Sequence, residues 1–578
     1  MPILNESISL GRYQSVVDAA FVGMIKNRVP ARIRQKDYTL WKPSPTEIAN
    51  RLGWLHSPRA MTGRLAQING LVDALRKDGY TRALLLGMGG SSLAPEVFRK
   101  IFGVSEGYLD LAVLDSTDPG AVLTFSERLD LAKTLFIVST KSGGTVETFS
   151  FMKYYFNLLS ERYGAQEAGR HFIAITDPGS ALAELAAVHQ FRKTFLNDPE
   201  IGGRYSVLSC FGLVPAALVG VDIKKLLDRA AGAADKEMLL EVAETDFLSG
   251  LYLGAVMGEL ARAGRDKLTF IFSPRIAGFG DWLEQLIAES TGKEGKGILP
   301  VVGEPLGGSA VYGDDRIFVY IHLAGDEVQD EEITHLGKAG QPIIKISLRD
   351  VYDLGGQIFL WEMATAVAGH ILGINPFDQP DVEAAKVLAR KMIVKYREKG
   401  FLPDEAPALR REGIDVYGDC PAHSPGDALN IFLGSTLPNG YIALQAYLQP
   451  TAGTDAALLR LRSCLRDQYH LATTMGYGPR YLHSTGQLHK GDGGRGVFIQ
   501  LTADDPGDVP IPDEMGQPGS SVTFGVLKVA QALGDRQALL HAGRPVIRFH
   551  LGGDIAGGLK ILTEAVLNRG LRNGIAAA

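Results

Sequence analysis

The 578-residue sequence predicts an α/β protein with two parallel-sheet domains followed by a smaller C-terminal α+β domain. Three observations lead there. Short apolar runs, such as those at 82–86 and 134–138, alternate with turn residues and helical patterns, which is the rhythm of a parallel sheet packed between helices. That rhythm returns at residue 267, and beyond Asp415 its spacing changes. The length also exceeds what one hydrophobic core organises, so several domains are required.

Residues 1–60 read as a helical lead-in, closing in a loop around Trp41. A first domain, 61–235, opens on a helix at 61–77 and carries strands at 82–86, 109–114, 134–138 and 171–176. A second, 236–415, carries strands at 267–272, 316–321 and 342–346, with helices at 282–290 and 359–372. In the remainder, 416–578, strands are predicted at 441–448, 496–501 and 545–550, and helices at 456–468 and 523–540. Its loops GDGGRG and DDPGDVPIPDEMGQPG read as solvated connections.

The formal net charge of -6 gives no general attraction to nucleic acid or to an acidic membrane surface, so neither is expected as a partner. No apolar stretch of membrane-spanning length occurs, and MPILNESISLGRYQ lacks the features of a secretory leader. Cys210, Cys420 and Cys464 are far apart and form no CxxC pair, which fits a reducing compartment. A cytoplasmic protein is expected.

VSTKSGGTVET, 138–148, is a β-branched run opening onto five hydroxyl residues, two glycines and a lysine. Ser139, Thr140, Ser142, Thr145 and Thr148 can donate hydroxyl protons, Lys141 adds charge, and Gly143 and Gly144 let backbone N–H groups approach an oxyanion. RALLLGMGGSSLAPEVF, 82–98, is a strand, a loop with Gly87, Gly89 and Gly90, and a helix opening near Ser91 or Ser92. A helix start offers free N–H groups and a favourable dipole to an anion, although glycine turns and serine caps also serve structure alone. Two such loops after strands of one sheet suit a ligand beyond the strands' carboxyl ends. Neither has the spacing of a GxxxxGK[ST] nucleotide loop, so a sugar phosphate fits better.

Trp282, Gln285 and Glu289 share one helix face, with Glu289 one turn from a stop at Gly292. A glutamate there faces the negative end of the helix dipole and is a candidate general base, or else a solvated surface group. In IGGRYSVLS, Arg204 follows two glycines and can clamp an oxyanion or form a structural ion pair. NPFDQPDVEAAK ends at Lys386, on a helix starting near Pro380, where an exposed cation is the plain alternative.

Taken in order, GMGGSSLAP, STKSGGTVET, GGRYS, ESTGK with the following GEP, and FDQPDVEAAK resemble the phosphoglucose isomerase family over roughly residues 84–386. The resemblance implies two doubly wound sugar-isomerase domains and reversible isomerisation of glucose 6-phosphate to fructose 6-phosphate through a cis-enediol. Gly90, Ser91, Thr140, Lys141, Ser142 and Thr145 would hold the phosphate. Glu289 would transfer the proton, Arg204 would stabilise the enediolate, Lys386 would assist ring opening, and Gln285 and Gln379 would contact substrate. No metal or organic cofactor is implied, and the family is commonly homodimeric. An isomerase for mannose 6-phosphate, or a non-catalytic sugar-phosphate sensor, are the alternatives; a sensor needs the cradle but no base.

Two departures stand out. The family carries a ring-opening histidine after GEP, and GEPLGGSAVYGDDRIF has none. The chain also runs 192 residues past Lys386 (578 minus 386), resembling the isomerase half of transaldolase/phosphoglucose isomerase fusions without a transaldolase half. Within that tail, His483 and His489 in YGPRYLHSTGQLHKGDGG are the candidates for the missing histidine; the alternative is a loop or subunit contact.

Overall fold

Parallel strands covered by helices on both faces are apolar along most of their length, and the inner strands of the first sheet follow this while its edges are partly exposed. In the computed structural model, which describes residues 7–240, 248–403, 405–419 and 421–576, a short strand β1 (Ser7–Ser9) precedes that sheet. The sheet holds β2 (Arg82–Gly87), β3 (Asp110–Leu114), β4 (Thr134–Ser139), β5 (Phe172–Thr176) and β6 (Lys193–Leu196). All its pairings are parallel, in the order β3-β2-β4-β5-β6.

The second sheet contains β7 (Lys267–Phe272), β8 (Leu299–Val301), β9 (Arg316–Leu323) and β10 (Ile343–Leu348), again parallel. Here β1 joins antiparallel along β10. The lead-in therefore is not wholly helical: three of its residues cover an edge of β10 that would otherwise expose unpaired N–H and C=O groups.

The third sheet is mixed. It comprises β11 (Leu409–Arg411), β12 (Ile414–Tyr417), β13 (Tyr441–Tyr447), β14 (Ala472–Tyr477) and β15 (Gly496–Thr502). After a small hairpin of β16 (Pro510–Ile511) and β17 (Val522–Thr523), β18 (Val546–His550) completes it. The order is β11-β12-β18-β15-β13-β14, with the four strands from β18 to β14 parallel and antiparallel pairing confined to the β11, β12 edge.

The tail packs firmly on the rest. The Phe524–His541 helix lies along the Val382–Lys399 helix, where a Cβ on Gly534 would come 2.8 Å from Ala389 N. Glu304 of the GEP motif is buried, bonded to Arg316 Nη1 at 3.0 Å, and accepts from the backbone N–H of Thr473 in β14 at 3.0 Å. The 504–519 loop is not merely solvated: Val509 and Ile511 are buried, and Asn157 of the Val146–Tyr163 helix donates to Gln517 O at 2.7 Å. The GDGGRG loop is likewise held, by Asp492 accepting from Tyr441 at 3.0 Å. Cys210 and Cys464 are free thiols, and Cys420 lies outside the described residues. No helix among the described residues is long and apolar enough to cross a membrane.

Candidate active site

The two hydroxyl-rich loops leave the carboxyl ends of adjacent strands, since Gly87 of β2 pairs with Ser139 of β4. Gly89, at φ +57°, starts the Gly90–Phe102 helix. Gly90 lies so close to the neighbouring backbone that a Cβ would fall 2.0 Å from Gly203 O. That approach seats the GMGGSS loop directly on GGRYS and so places Arg204. Gly90→Ala is expected to cost about 1 to 3 kcal/mol of stability by forcing this backbone apart, measured by urea denaturation.

In the β4 loop, Thr140 and Thr145 bring their hydroxyls within 3.0 Å of each other, and Ser142 is exposed. Gly143, at φ +63°, packs against the backbone of Ala181 and Leu182. Ser139 and Thr148 turn inward, buried without a hydrogen-bond partner. Lys141 is turned away as well: its ammonium pairs with Asp177 and donates to Pro199 O at 2.9 Å. Its charge is thus neutralised outside the cradle.

The Phe279–Thr291 helix supplies the next layer. Trp282 Nε1 donates to Arg204 O at 2.8 Å, which pins the arginine's backbone. One turn on, Gln285 Nε2 donates to Glu289 Oε2 at 3.1 Å, while Gln285 Oε1 is buried with no partner. Arg204, 3% exposed, uses its planar fork on several sides. Nε donates to Ser290 Oγ at 2.7 Å, Nη2 to Pro376 O at 2.7 Å and Asp378 O at 3.0 Å, and Nη1 to Gln379 Oε1 at 3.0 Å. Nη1 also lies 3.3 Å from Glu289 Oε1. Nearby, Lys293 Nζ donates to Asp378 Oδ1 at 2.8 Å; burial and the Arg204 charge bring its ammonium down to about 8.

The tail adds a further group to the site. His483 Nε2 is 3.1 Å from Glu147 Oε1, and His483 O accepts from Gln285 Nε2 at 2.8 Å. Burial pushes the Glu147 carboxyl up, but the charge and hydrogen bond of His483, with help from Lys386, bring it below the usual carboxylate range. Gln531 Nε2 adds a bond to Glu147 at 2.7 Å. The loop carrying His483 is anchored by Arg480, 3.3 Å from Asp115 and 3.4 Å from Asp281, and by Gln487, which bonds Asp381 Oδ2 at 2.6 Å.

His489 lies elsewhere, enclosed by Tyr441, Tyr481 and Phe498, and burial holds its pKa well below the usual histidine value. Of the two tail histidines, His483 is the one beside Gln285 and Glu147. Lys386, half-buried on the Val382–Lys399 helix, is close enough to Glu147 to act on its charge.

The structure therefore brings together Glu289, Arg204, Gln285 and Gln379, and joins His483 and Glu147 to them through Gln285, with Lys386 acting on Glu147 through its charge. Glu147, Ser290 and Gln531 escape the sequence reading. Glu147 lies inside the cradle motif, but its histidine partner is 336 residues away. Among the described residues, no group of three or more His, Cys, Asp or Glu side chains is placed to hold a metal ion. A carboxylate fixed between an amide donor and a buried guanidinium suits proton transfer beside a developing negative charge.

Residues 72–314 match the family model described as phosphoglucose isomerase. The glucose-6-phosphate isomerase of Parabacteroides distasonis is 28% identical over 400 residues, covering 61% of this chain and 88% of that protein. That of Rubrobacter xylanophilus is 28% identical over 418 residues, covering 64% and 94%. Among solved structures, a glucose-6-phosphate isomerase from Chlamydia trachomatis superposes with a TM-score of 0.57 at 19% identity, over 68% of this chain and 89% of that one. A hypothetical protein from Thermus thermophilus gives 0.57 at 24%, over 67% and 99%. Both structural likenesses establish the fold. Over residues 72–314 the chain is thus similar to the phosphoglucose isomerase family, and about 28% identical to curated glucose-6-phosphate isomerases over some 400 residues.

Proposed function

We propose that the protein interconverts glucose 6-phosphate and fructose 6-phosphate through a cis-enediol. The observation that carries this reading is the convergence of Glu289 and Gln379 on the Arg204 guanidinium, at 3.3 and 3.0 Å. The substrate phosphate sits on the hydroxyls of Ser91, Thr140, Ser142 and Thr145 and at the N-terminus of the Val146–Tyr163 helix; at the other helix the N–H groups of Ser91, Ser92 and Leu93 already donate to Met88 and Gly89 carbonyls. From Lys141 only the backbone takes part, because the ammonium is committed to Asp177. Lys141→Met accordingly changes kcat/KM for fructose 6-phosphate by less than about twofold, as expected of a side chain that makes no substrate contact.

With the sugar open, Glu289 takes the C2 proton, the C2–H pair becomes the C1=C2 bond, and the C1 carbonyl oxygen gains charge. Arg204 stabilises that charge. A proton then moves from O2 to O1, and Glu289 returns its proton to C1, leaving the C2 ketone. Gln285, whose Oε1 lacks a partner, accepts from a sugar hydroxyl.

Ring opening requires a proton delivered to O5 and one removed from the anomeric hydroxyl. His483, held by Glu147, with Lys386 acting on the same carboxylate from beyond ion-pair distance, performs this step and takes the place of the histidine absent after GEP. His483→Ala is expected to slow turnover of cyclic substrate by about 10²-fold, within the range for one acid-base group. His489→Ala leaves the chemistry intact. Anomer-resolved isomerisation kinetics check both, and unchanged ring opening in the His483 variant removes it from the mechanism.

A coupled assay converting fructose 6-phosphate to glucose 6-phosphate tests the proposed activity; binding without turnover by the wild type contradicts it. The resemblance also implies a cytoplasmic homodimer, which sedimentation would show as twice the 62.3 kDa chain mass.

A further inference from the structure

The third sheet has a cavity that the isomerase chemistry does not use. Its parallel strands β13, β14 and β15 are arranged so that the chain leaves β13 to one side for β14 and returns on the other for β15. Ligands of open parallel sheets bind beyond the carboxyl ends at such a reversal. Tyr447 ends β13, Thr502 ends β15 and His550 ends β18, and all three line a cavity of about 720 Å³. That volume is typical of a small-molecule site.

The sheet face below the cavity is unusually polar. Gln445, Gln500, Arg548 and Tyr417 are successive neighbours across four strands, and Tyr447, Thr502, His550 and Asp415 form the next file. A buried, mainly parallel sheet is expected to be apolar there. Arg548 is 8% exposed, lies 3.7 Å over the Tyr417 ring, and has no hydrogen-bond partner at Nε. Among the described residues it makes no ion pair. Neighbouring cations are neutralised: Lys528 by Asp118 at 2.9 Å and by Asp505, and Arg536 by Glu405 at 2.6 Å. Glu405 and the Tyr417 hydroxyl act on the Arg548 charge, but Glu405 is already paired with Arg536 and burial still lowers the guanidinium's pKa. A buried guanidinium so incompletely balanced is costly, and a ligand's anion would complete it.

We propose that this cavity binds a small organic anion, with one carboxylate or phosphate group on Arg548 and an apolar or aromatic body between Tyr417 and Ala532 of the Phe524–His541 helix. The cavity is separate from the sugar site. Lys528 and Ala532 line it, whereas Gln531 on the same helix bonds Glu147.

Isothermal titration of the full-length protein with phenyl phosphate and with benzoate, each in saturating fructose 6-phosphate to fill the isomerase site, tests the proposal. Wild type should bind at least one probe with one site per chain. Arg548→Met should weaken that binding by about tenfold or more, as expected for losing a charge-assisted, forked contact. Isomerase turnover should remain unchanged. Arg548→Lys keeps the charge without the fork and serves if the methionine variant is unstable; it too should bind more weakly. A preference for phenyl phosphate or for benzoate identifies the anionic group. Absence of binding by both probes, or equal binding by wild type and variants, overturns the proposal.

Discussion

Replacing Glu289 by glutamine lowers kcat for fructose 6-phosphate by about 10²- to 10⁴-fold, with KM little changed, because it removes proton transfer while leaving shape and hydrogen bonding nearly intact. The geometry makes this a clean substitution. Glu289 Oε2 accepts from Gln285 at 3.1 Å and Oε1 faces Arg204 at 3.3 Å. A glutamine oxygen can still face one of these donors, so the loops and the arginine keep their places. A steady-state coupled assay with near-UV circular dichroism separates lost chemistry from lost structure. A variant retaining wild-type kcat would exclude Glu289 as the base.

Arg204→Met is expected to reduce kcat by about 10²- to 10³-fold, the usual effect of removing a donor aimed at transition-state charge. Unlike the glutamate change, it also disturbs structure. Ser290 Oγ, Pro376 O, Asp378 O and Gln379 Oε1 all lose a donor, and Glu289 loses its counter-charge. Breaking one side of a buried ion pair costs up to about 3 to 5 kcal/mol, so urea denaturation should shift with the kinetics. Arg204→Lys restores the charge but not the fork that joins Ser290, the 376–379 turn and Glu289, and should recover only part of the rate. Full recovery would reduce the arginine's role to charge alone.

These two residues also show what the sequence discloses. Arg204 and Glu289 lie in compact motifs whose glycines and helix spacing suggest their placement, and the structure joins them. The strands that read clearly, such as β4 and β7, are buried along their whole length and carry continuous apolar runs, Leu135–Val138 and Phe270–Phe272. By contrast, β8 spans only Leu299–Val301 and β6 is the half-buried edge Lys193–Leu196, so neither gives a continuous apolar signal. β1 has three residues, and only its pairing with β10 makes it a strand.

Side-chain direction is less legible in the sequence than the strands are. Lys141 sits among hydroxyls in the motif, yet Asp177, 36 residues later, draws its ammonium elsewhere. Glu147 and His483 are joined by no spacing that local physics can read. Their contact depends on a tail loop clamped by Arg480 and Gln487 onto Asp115, Asp281 and Asp381. The 504–519 loop shows the same effect in the fold: its Pro and Gly content suggests solvent, while Val509 and Ile511 pack inward.

Hydrogen exchange at the sugar carbons tests the central claim most directly. Fructose 6-phosphate incubated with wild-type protein in deuterated water, and followed by NMR, should gain deuterium at C1 and yield glucose 6-phosphate labelled at C2. The Glu289→Gln variant should bind the sugar but show neither exchange nor conversion on the same timescale. Wild-type protein that binds fructose 6-phosphate without exchange or conversion, or a Glu289→Gln variant that exchanges at the wild-type rate, would contradict proton transfer by Glu289 through an enediol.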